Sequence, residues 1–291
     1  MYQTAFSRPS RGAVIIGIVA IQRAGFVVLL VTVAAAAAAA SLKTATTDYY
    51  RNYLLETQNK LEQRKHFLLI DSANGLRNRV KAGEVFVEER RPRKDPPDGL
   101  IHHWEGAVFI PSVSVQQVLD LVQNYDQHKR IYAPEVIDSQ TLRRDGNEFH
   151  VRLRLLKKKV LTVVLETEHE VKYRHLDAKK WESVSRTTKV SEVDHPGAAK
   201  ERELPPGTGH GFVWRMDSFW RFFEADGGVY VECTSVSLSR DIPFGMGRII
   251  RPIIDDLPEE SLRGVLRQTR QALQNRLGSY QNVNRTRPED C

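Results

Sequence analysis

Two spacings of apolar residues alternate along this chain. From Glu148 to Leu156 they recur at every second position: Phe149, Val151, Leu153 and Leu155 face one way, Glu148, His150, Arg152 and Arg154 the other. Leu161 to Arg174 repeats the pattern, with Leu161, Val163, Leu165, Thr167, His169, Val171 and Tyr173 opposite Glu166, Glu168, Glu170, Lys172 and Arg174. A period of two with one polar face marks half-buried antiparallel strands. Leu100–Ile110, Val136–Arg144, Trp181–Val193, Gly211–Phe223 and Val229–Arg240 read as further strands, and Asp145-Gly146 and Asp226-Gly227 as hairpin turns. The spacing changes to three and four in two places. Ser114–Gln123 is a short helix with Val115, Val118, Leu119 and Val122 on one side. Leu257–Leu277 is a long one, with Leu262, Val265, Leu266, Thr269, Leu273 and Leu277 in one stripe. Pro258, Glu259 and Glu260 mark its start and Gly278 its stop. Such a stripe needs a surface to cover it, and the strands supply one. The expectation is an α+β fold: a curved antiparallel sheet wrapped around the C-terminal helix, with an apolar cavity between them.

The chain before residue 100 is less patterned. Thr47–Ile70 reads as a helix with a loose stripe, Asp71 or Ser72 as the cap of a second short helix through Lys81, Glu84–Glu89 as a brief strand, and Arg90–Gly99, with three prolines, as a linker. Residues 1–40 hold Arg8, Arg11 and Arg23, then an apolar run from Gly25 to Ala40 broken only by Thr32 and ending in seven alanines. This is the layout of an export signal cleaved near Ala40–Ser41, or of an uncleaved N-terminal anchor; a spanning helix wants ~20 residues. Either places the rest of the chain outside the cytoplasm, periplasmic or secreted. The expected layout is therefore 1–40 signal or anchor, 41–99 helical extension and linker, 100–278 the main domain, and 279–291 a disordered tail.

Composition narrows this little. Hydrophobic content of 41% and charged content of 27% are globular values. Three of the seven net positive charges lie in the first 40 residues, so the remainder is too weakly basic to indicate nucleic acid. The clusters Arg90–Lys94 and Lys157–Lys159 read as solvated charge at a linker and a hairpin tip. The two cysteines, Cys233 and Cys291, form no metal spacing and no evident disulfide. No catalytic, metal or cofactor motif stands out.

The order of strand, short helices, six sequential antiparallel strands and long helix is the helix-grip arrangement. The stretch Val118 to Asp126, with Tyr132-Ala133-Pro134 and Val136-Ile137 after it, resembles the short helix, aromatic-Asp turn and proline of the START/SRPBCC superfamily; Asp241-Ile242-Pro243 leading into the long helix is similar too. The resemblance spans residues of about 100 to 277. It implies lipid-transfer, aromatase/cyclase or coenzyme-Q-binding relatives, and it carries over no catalytic residue.

The inward faces look roomy. Phe212, Trp214, Met216, Ser218, Trp220 and Phe222 share one parity; Trp181, Ser183, Ser185 and Thr187 another; Val229, Val231, Cys233, Ser235 and Ser237 a third. Small polar residues beside tryptophans suggest space rather than dense packing. The candidate ligand-binding residues are His102, Trp104, His169, Trp214, Met216, Trp220, Leu266 and Thr269. His169 is either a head-group or acid/base residue or a core histidine bonded to a threonine. Asp126 is expected to fix its turn by accepting backbone N–H bonds. The leading expectation is an exported binder of a hydrophobic small molecule or lipid, with no cofactor and with contact to a membrane surface as a second partner. The alternatives are an aromatase/cyclase-type enzyme and a filled, non-binding envelope or interaction domain.

Overall fold

The computed structural model describes residues 41–158, 162–241 and 256–285. The signal or anchor, Ile242-Pro243 with Gly245 and Gly247, and the last six residues including Cys291 lie outside the described residues.

The alternating stretches pair into one antiparallel sheet, nine-stranded among the described residues. Its strands are β1 (Phe86–Glu89), β2 (Gly99–Pro111), β3 (Val136–Asp145), β4 (Glu148–Lys158), β5 (Thr162–Asp177), β6 (Lys180–Asp194), β7 (Arg202–Glu203), β8 (Arg215–Ala225) and β9 (Gly228–Arg240). The spatial order is β1-β2-β9-β8-β6-β5-β4-β3, with β7 added at the end of β6. A meander from β3 to β9 thus returns to lie beside β2. Asp226 and Gly227 both hold positive φ, 57° and 80°, which the tight β8–β9 hairpin requires. β3 carries two irregularities in its pairing, and beside the second of them Asp126 accepts from the Thr141 amide at 2.7 Å. The N–H it accepts from belongs to β3, 15 positions on, so the aspartate ties its turn to the sheet.

Five helices matter for position. α1 (Thr44–Glu62) ends earlier than its sequence suggests, because Arg64–Ile70 is drawn onto the sheet: Glu232 pairs with Arg64 and accepts from the Leu69 amide. α2 (Leu76–Lys81) starts after Gly75 at φ 75°, not at Asp71 or Ser72. α3 (Val115–Val122) opens with a capping box between Ser114 and Gln117. Beyond α3 a single helical turn, α4 (His128–Ile131), precedes β3. α5 (Asp256–Arg285) buries Leu262, Leu266, Thr269 and Leu273, as the stripe predicts. It runs through Gly278 rather than stopping there; a glycine inside a helix costs only about 1 kcal/mol, and this one keeps negative φ. Residues 279–285, expected as tail, are its last turns.

The two faces of the sheet are covered differently. On one face Tyr50, Leu54 and Leu61 of α1 pack on Ile101, Phe219, Val236 and Leu238, and Leu68, Ile70 and Val80 pack on Phe109 and Tyr230. On the other face lies α5. The stretch expected as an extension therefore supplies an edge strand, β1, and the cover of the convex face. The arrangement of curved sheet and terminal helix is the helix-grip fold expected from the sequence.

Candidate functional site

Between the sheet and α5 is a cavity of about 320 Å³. Its cause is local. A Cβ on Gly106 would lie 2.8 Å from Leu266 Cδ1 and 3.1 Å from Leu262 Cδ2, so a bare backbone at this point of β2 lets α5 press close. The helix leans on β2, and space opens on the other side, toward β4, β5, β6 and β8.

Strand register arranges the wall in rows. Trp181, Phe222, Val231 and Val108 are in register on the α5 side and form an apolar row. Next come Ser183, Trp220, Cys233 and Gly106, then Ser185, Ser218, Ser235 and Trp104, then Met216, Ser237 and His102. The opposite wall is aliphatic, with Val151, Leu153 and Leu155 from β4 and Val163, Leu165 and Val171 from β5. Val122, Tyr125, His128 and Tyr132 from α3, α4 and the turns beside them add to the lining, and α5 closes it with Leu257, Ser261, Leu262, Val265 and Gln268.

The polar groups on this surface are mostly committed. Tyr125 and Tyr173 share a hydroxyl–hydroxyl bond of 2.9 Å. Thr269 gives its proton to the Val265 carbonyl (2.8 Å) and accepts from Tyr132 (3.1 Å). Burial pushes Tyr132 up to about 12. His128 Nε2–H donates to the Val122 carbonyl at 3.0 Å. Thr167 donates to the Leu153 carbonyl, so its oxygen accepts from His169 Nε2–H at 3.0 Å; His169 Nδ1 then faces Ser185 Oγ at 3.4 Å as an acceptor. Burial pushes both His128 and His169 down to about 4, so each is neutral at pH 7. At the rim Lys157 pairs with Glu135 and donates to Ser261 Oγ at 2.6 Å, joining β4 to α5. The one other carboxylate beside the lining, Asp217, is held from the convex side by the Tyr50 hydroxyl (2.7 Å) and the Thr187 amide (3.1 Å). No group of three or more metal-ligating side chains occurs among the described residues.

Of the sequence candidates, His102, His169, Met216 and Trp220 line the cavity. Trp104 packs at the edge of the core between sheet and helix, Leu266 presses on Gly106, and Thr269 stands behind Tyr132. Trp214 belongs to the convex face, in the cluster under α1. Parity misplaces it because the β8 ladder starts only at Arg215; before it the chain bends through Gly209 and Gly211 at φ 95° and 74°. The lining from Tyr125, His128 and Tyr132 and the Lys157–Glu135 rim pair went unnoticed in the sequence. Tyr173 was legible, sharing parity with His169 and Val171.

No family model matches this chain, and no curated protein matches it. Solved structures do. The chain is similar to the STAR-related lipid transfer protein from Xanthomonas axonopodis, at 16% identity over 65% of this chain and 98% of that one, with a TM-score of 0.41. It is similar to the Zhui aromatase/cyclase from Streptomyces sp. R1128, at 14% identity over 61% and 96%, TM-score 0.40. A START superfamily protein from Mycobacterium smegmatis shares 11% identity over 60% and 97%, TM-score 0.39. At this distance the likeness concerns the fold, and the chemistry of the cavity has to be read from this chain's own residues.

Proposed function

We propose that this chain holds or carries a water-insoluble small molecule in the hollow between its sheet and α5. The observation that supports the reading is a local inversion of burial toward the Arg215 end of β8 and the Arg240 end of β9; farther along, Phe222, Val231 and Cys233 on the α5 side are buried. Residues that face α5, where a core belongs, are half-exposed: Met216, Ser218, Trp220, Ser235 and Ser237. Their strand neighbours on the opposite face, Asp217, Phe219, Thr234, Val236 and Leu238, are buried. A greasy wall with a few polar groups and open volume is the usual chemistry of a small-molecule site. An apolar ligand gains roughly 0.8 kcal/mol per buried CH₂ before ordering costs. His169 supports binding over acid–base chemistry: its Nε2–H is committed to Thr167, and a value near 4 makes it a weak base at neutral pH.

The basic and then apolar character of residues 1–40 extends the proposal to a place outside the cytoplasm, at or beyond a membrane. Fractionation of the native host tests that part; full-length chain in the cytosolic fraction would overturn it. The binding itself is tested by native mass spectrometry of the full chain purified from its own host. A co-purified apolar adduct is expected. An apo mass alone, under conditions in which a known carrier keeps its ligand, would overturn it.

A further inference from the structure

The reading of the hollow as a binding site is the premise here. The pairing of β6 with β8 and of β8 with β9 runs without a register shift, and it sets Ser185, Ser218 and Ser235 directly opposite one another on three adjacent strands, all facing the hollow. Strands lie about 4.8 Å apart, so the row is about 10 Å long. A wall packed for stability has little use for such a row, since serine buries little apolar area and an unbonded hydroxyl away from water costs free energy.

The hydroxyls are also incompletely used. Trp220 Nε1 donates to Ser218 Oγ at 3.0 Å, and Ser185 reaches His169 Nδ1 only at 3.4 Å. Among the described residues Ser235 has no hydrogen-bond partner for its side chain, and neither has Ser237 one step along β9. Elsewhere on the lining, Leu153, Leu165, Leu262 and Val265 offer no side-chain polar atom. The charges on the lining are already answered: Lys157 by Glu135, Asp217 by Tyr50 and the Thr187 amide.

We propose that the row Ser185–Ser218–Ser235 is a hydrogen-bonding subsite for the oxygen-bearing edge of an uncharged, elongated, otherwise apolar ligand that carries two or more hydroxyl or carbonyl groups. A fatty-acid carboxylate or a phosphate head group suits this wall poorly, because it would lose its hydration and find no unpaired cation among the described lining residues. A volume near the small end of ligand sites suits a single small molecule better than a pair of acyl chains.

The test uses the full chain and three probes of one shape: trans-stilbene, trans-resveratrol, which adds hydroxyls, and a stilbene carboxylate. Affinities are read by calorimetry and by quenching of tryptophan fluorescence. The wild-type chain should bind resveratrol at least about tenfold tighter than stilbene. The triple variant Ser185→Ala, Ser218→Ala, Ser235→Ala should lose that ratio while holding stilbene within about twofold, which also reports that it is folded. Should the triple variant not fold, Ser235→Ala alone should cut the ratio by about threefold, since that hydroxyl supports nothing else. A ratio unchanged in the variants, no preference in the wild type, or a carboxylate bound as tightly as resveratrol would overturn the subsite and leave the hollow as a binding site. Failure of all three probes to bind would overturn both.

Discussion

β8 and β9 present alternate residues to two different helices, and the two results are opposite. Toward α1 the face is sealed. Phe219, Val236 and Leu238 are dry, and the carboxylates that β8 and β9 place there are tied: Asp217 to Tyr50 and Thr187, Glu232 to Arg64 and the Leu69 amide. Toward α5 the face is hollow, and its serines are short of partners. The difference teaches where stability and function reside. A fold can leave part of one side of its sheet unfilled only if the rest supplies the stability, and here the convex face contributes a helix, a second hydrophobic cluster and the buried Arg64–Glu232 pair. Substitutions should therefore divide by face.

The largest effect is expected on the sealed side. Glu232→Ala leaves Arg64 buried beside Arg221, whose own charge burial and Arg64 already disfavour. Breaking a buried pair this way should cost about 3–5 kcal/mol in urea unfolding; a loss under about 1 kcal/mol would show that the convex side does not carry the fold. The next effect is pH dependence. Burial pushes His103, on the convex side, and His128 and His169, at the cavity, down to about 4. The folded value lies below the ordinary one near 6.5, so the fold favours the neutral ring. That stabilisation is complete above about pH 6.5 and is lost as pH falls toward about 4, of order 3 kcal/mol per histidine. The raised carboxyls of Asp217 and Glu232 act in the opposite sense, so the useful readout is a comparison of slopes. Between about pH 7 and 4.5, His169→Gln should lose less stability than wild type. Parallel curves would show that His169 is not buried as a neutral ring.

Much of the hollow face was legible because it depends on one variable, strand parity. The inward placement of Ser185, Ser218, Cys233, Ser235 and Trp220 follows from alternation alone. The sealed face was not legible, because what covers it comes from far away in the chain. The stripe of α1 is loose, and nothing local says that Tyr50 will meet Asp217 across 167 positions. Trp214 is misplaced for a related reason: alternation holds only where a ladder exists, and the β8 ladder begins only at Arg215, after a bend through Gly209 and Gly211 at positive φ. The lean of α5 was hidden as well, since a single glycine in β2 looks like any other until the helix is seen against it.

That lean gives a sharper comparison. Gly106→Ala places a methyl 2.8 Å from Leu266 Cδ1, so the Leu266 side chain or the helix that carries it must give way. Overpacking of this kind should cost about 1–3 kcal/mol. It should also change the affinity of any cavity ligand, which a change on the convex side should not.

The smallest effect separates the two faces most cleanly. Ser235→Ala lies on the same strand as Val236 and Glu232, yet its hydroxyl has no partner to lose among the described residues. Its stability should stay within about 0.5 kcal/mol of wild type. Were it instead to fall by about 2 kcal/mol, the hydroxyl would be structural and the hollow face would be a core after all. If stability holds while preference for an oxygen-bearing ligand falls, a residue that does nothing for the fold is left with binding as its use.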